Sequence, residues 1–224
     1  MEQTKKLEGK VAIVTGAGSS GPGVGTGKAI SVLLAREGAK VVLVDMFEER
    51  AKETLDLITE DGGEATIVVA DLSKIPECRR VVSEAVAAYG GVDILVNNAA
   101  MGNNKGLLDI ADEVYEKMIA INLTAPFMLC QAAIPVMIER GGGSIVNISS
   151  IASLRGTGGG GQAAYASAKA GLMGLMIDIA DAYGKQGIRI NAVAPGIIKT
   201  PMRDQSMIQA GLNPDDFDLS LIHI

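Results

Sequence analysis

The sequence predicts a single α/β domain built on a doubly wound parallel sheet. Two observations carry this. Short β-branched runs alternate with longer runs of helical spacing from one end of the chain to the other, and a glycine-rich turn joins the first strand to the first helix. A length of 224 residues suits one large domain. The stretch Gly156–Gly161 resembles a linker, but segments of the same class flank it, which makes it a loop inside one domain. No internal repeat is visible.

Taken in order, Val11–Thr15 leads through the glycine turn into helical spacing over Gly27–Glu37, stopped by Gly38. Val41–Val44 leads into Glu48–Glu60 and Gly62, and Ala65–Val69 into Ile75–Tyr89 and Gly90. Ile94–Val96 precedes the long helical pattern Asp112–Ile138. Ser144–Ile148 precedes Ala163–Tyr183, stopped by Gly184, and Arg189–Val193 is the sixth strand.

Composition excludes several classes of function. Lys and Arg total 20 against 26 Asp and Glu, and a net charge of -6 gives no footprint for nucleic acid. At 48% hydrophobic and 21% charged residues, the chain can bury a large core. Cys78 and Cys130 are too few for a disulfide framework and too far apart for a CxxC motif, which fits a reducing cytoplasm. The single histidine, His223, is next to last, so a His-based triad or zinc site is excluded and no metal is expected. Met1–Glu8 has no apolar core for a signal peptide. Leu123–Ile138, broken by Gln131 and carrying Pro126 and Pro135, reads as too short and interrupted to cross a bilayer, so no membrane partner is expected.

Thr15 is followed by Gly16-Ala17-Gly18-Ser19-Ser20-Gly21-Pro22-Gly23-Val24-Gly25-Thr26-Gly27 and then a helix. Such a turn lets backbone N–H groups and a helix N-terminus meet a pyrophosphate without Cβ clashes. Asp45 closes the second strand 18 residues after Gly27, where its carboxylate can accept both hydroxyls of an adenosine ribose and repel a 2′-phosphate. The residues that follow are Met46, Phe47, Glu48 and Glu49, with no Arg, so NAD is favoured over NADP. Asp71 after the third strand suits either the adenine amino group or a helix cap. Asn97 and Asn98 read as turn formers or as groups lining the cofactor cleft.

Tyr165 and Lys169 share one helix face at i and i+4. A neighbouring ammonium is expected to lower the phenol's pKa and make Tyr165 a general acid/base near neutral pH. Asn147-Ile148-Ser149-Ser150 lies at the C-terminal end of the fifth strand, the edge at which open α/β sheets bind ligands, and Ser150 can offer a hydroxyl to a carbonyl oxygen.

With these motifs together, the sequence resembles the short-chain dehydrogenase/reductase family from about Leu7 to Met202. The glycine loop, Asp71, Asn97-Asn98-Ala99, Asn122, Ser150, Tyr165 with Lys169, and Pro195-Gly196 followed by Thr200 carry the resemblance. It implies a Rossmann fold. It also implies that Tyr165 exchanges the proton, Ser150 positions the substrate oxygen, Lys169 binds the nicotinamide ribose and tunes Tyr165, and Asn122 holds a proton-relay water. Ile198 and Thr200 would contact the nicotinamide carboxamide. The cofactor set so implied is Gly16, Gly25, Thr26, Gly27, Asp45, Asp71, Leu72, Asn98, Ala99, Tyr165, Lys169, Pro195, Gly196, Ile198 and Thr200.

The sequence departs from the family pattern in two places. The family loop reads TGxxxGxG, whereas eight residues separate Gly16 from Gly25 here. Ala100 replaces the last residue of NNAG, which is tolerable only where that backbone avoids positive φ. Pro126 cannot donate a helical bond to the carbonyl of Asn122, which either frees that carbonyl for water or makes a packing kink. Met118, Met128, Met173 and Met176 read as core or subunit-contact residues.

The expected function is an NAD(H)-linked oxidoreductase interconverting a secondary alcohol and a ketone, nearest by analogy to 3-oxoacyl thioester reductases and sugar or polyol dehydrogenases. A catalytically silent, dinucleotide-sensing binding protein is the alternative. The partners implied are a small carbonyl or alcohol substrate and, in the full-length form, copies of the same chain in a dimer or tetramer. Residues 1–218 are read as the dinucleotide-binding and catalytic domain. Leu219–Ile224 matches no family pattern and is read as a non-native tail, with the family's last strand missing and the strand near Arg189 left as an edge with an uncovered apolar face.

Overall fold

The computed structural model describes residues 5–102, 105–156, 162–209, 211, 213 and 214. Its six strands are β1 (Val11–Thr15), β2 (Lys40–Asp45), β3 (Glu64–Val69), β4 (Ile94–Asn97), β5 (Gly143–Ile148) and β6 (Ile188–Val193). All pair in parallel, in the order β3-β2-β1-β4-β5-β6. The order reverses between β1 and β4, the point at which open sheets of this kind bind ligands beyond the strands' C-terminal ends. Every residue of β1 is buried, as a central parallel strand covered by helices on both faces requires.

The helices are α1 (Thr26–Arg36), α2 (Glu48–Glu60), α3 (Ile75–Tyr89), α4 (Asp112–Ile119), α5 (Ala125–Glu139), α6 (Ala163–Tyr183) and α7 (Pro201–Gln209). On one side of the sheet Ala35 of α1 and Ala51 and Ile58 of α2 pack on Ala12, Val14, Val41 and Leu43. On the other, Val81 and Ala85 of α3, Leu129 and Ala133 of α5 and Ile179 of α6 pack on Ile13, Val42 and Ile145.

Most expected elements stand within two residues of where the sequence put them, and the departures have physical causes. The expected helix 112–138 is divided by a π-helical segment, Ala120–Thr124, in which the Ala125 N–H reaches back five residues to the Ala120 carbonyl. Pro126 follows directly, and the extra residue accommodates a position that has no N–H to give. The helical run 112–139 is thus long and apolar enough to cross a membrane by length and composition alone, contrary to the length argument from Leu123–Ile138. Packing assigns it instead to the interior, because Leu129, Cys130, Ala133, Ile134 and Met137 lie in the core.

Gly90 caps α3 in the left-handed conformation, at φ 78°. Gly184, by contrast, is still helical at φ -58°, and the left-handed stop falls at Gly187, φ 82°. β6 ends the sheet among the described residues, but its apolar side is not bare: Ile188 and Ile190 are buried, and Val193 is the exposed apolar residue. The segment 215–224, with His223 and the proposed tail, lies outside the described residues, as do 157–161 of the glycine-rich loop.

Candidate active site

At the end of β1 the backbone turns so tightly that only glycine fits. Gly16 takes φ +63°, and a Cβ there would stand 2.9 Å from the Cα of Ala99. A Cβ on Gly27 would overlap the carbonyl oxygen of Gly16. The loop is braced from β4. The Thr15 hydroxyl donates to the Val96 carbonyl and accepts the N–H groups of Asn98 (2.9 Å) and Ala99 (3.0 Å). The Asn98 amide donates to the carbonyls of Thr15 (2.8 Å) and Gly16 (3.0 Å). Asn98 is therefore a brace for the loop, and its amide protons are spent on it. Among the described residues no residue other than glycine has positive φ, so Ala100 fits its place without strain.

Gly25 occupies the N-cap of α1 and offers no capping side chain. The helix N-terminus opens on the cleft with first-turn N–H groups suited to an anion. Asp45, at the end of β2, accepts the N–H groups of Gly18 (3.0 Å) and Phe47 (3.1 Å). Beside it the Arg50 guanidinium lies 4.1 Å from the centre of the Phe47 ring, a pairing absent from the sequence reading. Asp71 is neither free nor the cap of α3, since Lys74 holds the cap position. Its carboxylate accepts the Ser73 hydroxyl (2.7 Å) and N–H (3.1 Å), and the hydroxyl bond above all holds its pKa below the ordinary value. The side chain of Leu72 is buried in the core, leaving its backbone for any ligand.

Ser150, Tyr165 and Lys169 meet at the C-terminal end of β5. Ser150 caps a short 3-10 turn, Ile151–Ser153, its hydroxyl accepting the Ala152 N–H at 3.2 Å. The Ser149 hydroxyl donates to the Lys169 carbonyl (2.9 Å) and fastens α6 to the strand end. Lys169 is 2% exposed, its ammonium donates to the Ile148 carbonyl at 2.7 Å, and it lies 5.7 Å from the centre of the Tyr165 ring. Burial pushes the Lys169 pKa down to about 8. The Tyr165 phenol is raised, because burial outweighs the hydrogen bond with Ser150. This corrects the expectation that the ammonium lowers it: the lysine spends a proton on a backbone carbonyl, and desolvation dominates.

Asn122 is fully buried in the π-helical segment. Its side-chain amide clamps the backbone of Met101, accepting from the N–H (3.1 Å) and donating to the carbonyl (2.8 Å). Pro195 and Gly196 lie between β6 and α7, and the Pro195 carbonyl accepts the Ile151 N–H at 2.9 Å. Ile198 is half-exposed, and the Thr200 hydroxyl accepts the Arg203 N–H at 3.3 Å, capping α7. Sequence reasoning missed Thr15 and Ser149 as braces, and also the Asn97 amide, which donates to Asn147 at 2.8 Å and ties β4 to β5. The available signal was a polar residue at or directly after the end of an apolar strand, Thr15 at β1, Asn97 at β4 and Ser149 after β5.

These residues form a cleft that fits a dinucleotide: glycines where a Cβ would fill the cradle, an uncapped helix end at its middle, a carboxylate at one end and a buried lysine at the other. The family model for short chain dehydrogenases matches residues 10–210. The chain belongs to this family. As a short-chain dehydrogenase/reductase it is an NAD(P)-dependent oxidoreductase of the alcohol/ketone class. It is 37% identical over 204 residues to a 3-oxoacyl-[acyl-carrier-protein] reductase of Thermotoga maritima, covering 89% of this chain and 78% of that protein. It is 40% identical over 211 residues to a mouse (3R)-3-hydroxyacyl-CoA dehydrogenase, covering 90% and 79%. Among solved structures, a 7α-hydroxysteroid dehydrogenase complexed with NADH and 7-oxo glycochenodeoxycholic acid superposes with a TM-score of 0.84 at 33% identity, over 95% of this chain and 78% of that one.

Proposed function

We propose that this short-chain dehydrogenase/reductase interconverts a secondary alcohol and a ketone, with Tyr165 as the group that gives or takes the proton. The observation carrying this reading is the convergence of Ser150, Tyr165 and Lys169 at the end of β5, with the phenol close enough to Ser150 to feel its hydroxyl and the lysine buried beside the ring. A bound nicotinamide dinucleotide supplies the hydride when reduced and accepts it when oxidised. The Ser150 hydroxyl donates to the substrate oxygen. Tyr165, whose raised pKa keeps it protonated in the free protein, gives its proton to that oxygen in the reductive direction. The phenolate left behind regains its proton from solvent, for which Asn122 and the π-helical segment offer a water position, while Lys169, held by the Ile148 carbonyl, lies where it can reach the nicotinamide ribose. Glycines 16, 25 and 27 with Thr26 receive the pyrophosphate. Asp71, Leu72 and Ala99 border the adenosine half, and Pro195, Gly196, Ile198 and Thr200 the nicotinamide half.

Asp45 supports a preference for NAD over NADP, since its fixed carboxylate retains lone pairs for ribose hydroxyls and repels a 2′-phosphate. Exposed Phe127 on α5 and Ile177 on α6 support self-association into a dimer or tetramer. Free, buried Cys78 and Cys130 suit a reducing cytoplasm.

The test is Tyr165→Phe, assayed against a panel of ketones, oxoacyl thioesters and sugars with NADH. Turnover should fall by about 10² to 10⁴ while NADH affinity stays nearly unchanged. A variant that keeps wild-type turnover overturns the assignment of Tyr165. Binding of NADH with no turnover on any substrate points to the silent sensor.

A further inference from the structure

The glycine loop is longer than the dinucleotide cradle needs, with eight residues between Gly16 and Gly25 where the family pattern has three. The additional length reaches α7. The Gln205 side-chain amide donates to the Ser20 carbonyl at 2.6 Å. A Cβ on Gly21 would stand 3.3 Å from that amide nitrogen and 3.4 Å from Pro201, and one on Gly23 3.8 Å from Pro201. Glycines 21 and 23 thus lie flat against the first turn of α7.

The sheet order gives this contact its meaning. β1 and β6 are separated by β4 and β5, a span of about 14 Å at one interstrand spacing per step. To land α7 on the loop after β1, the segment after Val193 returns across the C-terminal ends of β5 and β4, pinned on the way by the Ile151 N–H to Pro195 carbonyl bond. It therefore roofs the edge that carries Asn98, Ser150 and Lys169. A dinucleotide running from Asp45 at β2 to Lys169 at β5 passes beneath it.

We infer that the enlarged glycine loop and α7 form a clasp over the dinucleotide, latched by the Gln205–Ser20 hydrogen bond, and that Gln205 is a positioning residue governing cofactor release. The inference rests on the dinucleotide reading of the cleft. The latch is built to open. Gln205 is exposed, and α7 has nine residues, too few to be stable alone, with Met202 and Ile208 turned to solvent. The loop it grips carries Gly18, Gly21, Gly23 and Gly25, which gives the hinge freedom on the other side.

The test measures NADH dissociation by stopped-flow displacement in the full chain, for wild type, Gln205→Ala, Gln205→Glu, a loop lacking residues 20–24, and that loop combined with Gln205→Ala. One exposed hydrogen bond corresponds to a factor of about 3 to 10 in an equilibrium. Both Gln205 substitutions should speed release by about that factor, since Glu keeps the length but loses the donor, with the melting temperature lowered by no more than about 5 °C. In the shortened loop Gln205→Ala should add nothing. Unchanged release in both single variants overturns the clasp, as does an equal acceleration by Gln205→Ala in the long and the short loop. Failure of the wild-type chain to bind NADH overturns the dinucleotide reading, and the clasp with it.

Discussion

Gly27→Ala sets helix propensity against packing, and the geometry decides which wins. In an open helix the substitution stabilises by up to about 1 kcal/mol. At position 27 the new methyl would overlap the Gly16 carbonyl oxygen and lie 2.8 Å from the Gly16 carbonyl carbon and 2.6 Å from the Asn98 amide nitrogen. These neighbours are mostly backbone, and the Asn98 amide is already bonded to that same carbonyl, so no rotamer change relieves the overlap. Overpacking of this kind costs about 1–3 kcal/mol, and loss of the Asn98 bond about 1 more. Net of propensity, the variant should lose about 1–3 kcal/mol and melt about 3–10 °C lower. Displacing the Gly16 carbonyl also moves the cradle, so NADH should bind about ten-fold more weakly or worse, equivalent to about 1.4 kcal/mol.

Gly184→Ala is the matched control. Its backbone is helical, at φ -58° and ψ -39°, and a Cβ there meets nothing within 4 Å. It should gain about 0.5–1 kcal/mol, or about 1–4 °C. Calorimetry and NADH titration of both variants under one buffer decide the matter. If Gly27→Ala melts at or above the wild type while Gly184→Ala behaves as expected, the contact between α1 and the Gly16 carbonyl is refuted.

The buried lysine makes stability depend on pH. Lys169 titrates near 8 in the folded chain against 10.5 as its ordinary value, so between those values the unfolded state binds more protons and stability rises with pH. Relative to Lys169→Met, the wild type should gain about 2 kcal/mol between pH 7 and 9.5, and a flat difference in urea unfolding would contradict the burial argument. The comparison with the variant matters because Cys78 and Cys130, raised by burial to about 11 and about 12, pull the other way above pH 9. Asn122→Leu leaves the Met101 N–H and carbonyl without their buried partner and should cost about 1–3 kcal/mol, with faster amide exchange at Met101; unchanged exchange would show that the clamp holds nothing. Asp45→Ala should narrow the gap between NADH and NADPH dissociation constants, and equal constants in the unmutated protein would place the preference elsewhere, with Arg50 the first residue to examine.

The sequence by itself determined the fold class, because β-branched runs and helical spacing are local, and each run had to bury its own apolar side. It also singled out the residues from which the candidate site is argued, since a glycine turn, a carboxylate closing the second strand and a Tyr–Lys pair one helical turn apart are short-range patterns with direct steric or electrostatic meaning. Tertiary structure decided what those groups do to one another. Asn98 read as a turn former or a cleft-lining group and Asn122 as the holder of a relay water, but their side-chain amides are occupied by the backbones of Gly16 and Met101, residues far from them in sequence. Lys169 was legible as a neighbour of Tyr165, yet its pKa depends on how completely α6 and β5 exclude water, a sum over long-range packing that no spacing encodes. The contact of Gln205 with Ser20 spans 185 residues of chain, and only the sheet order brings the two ends of that path together.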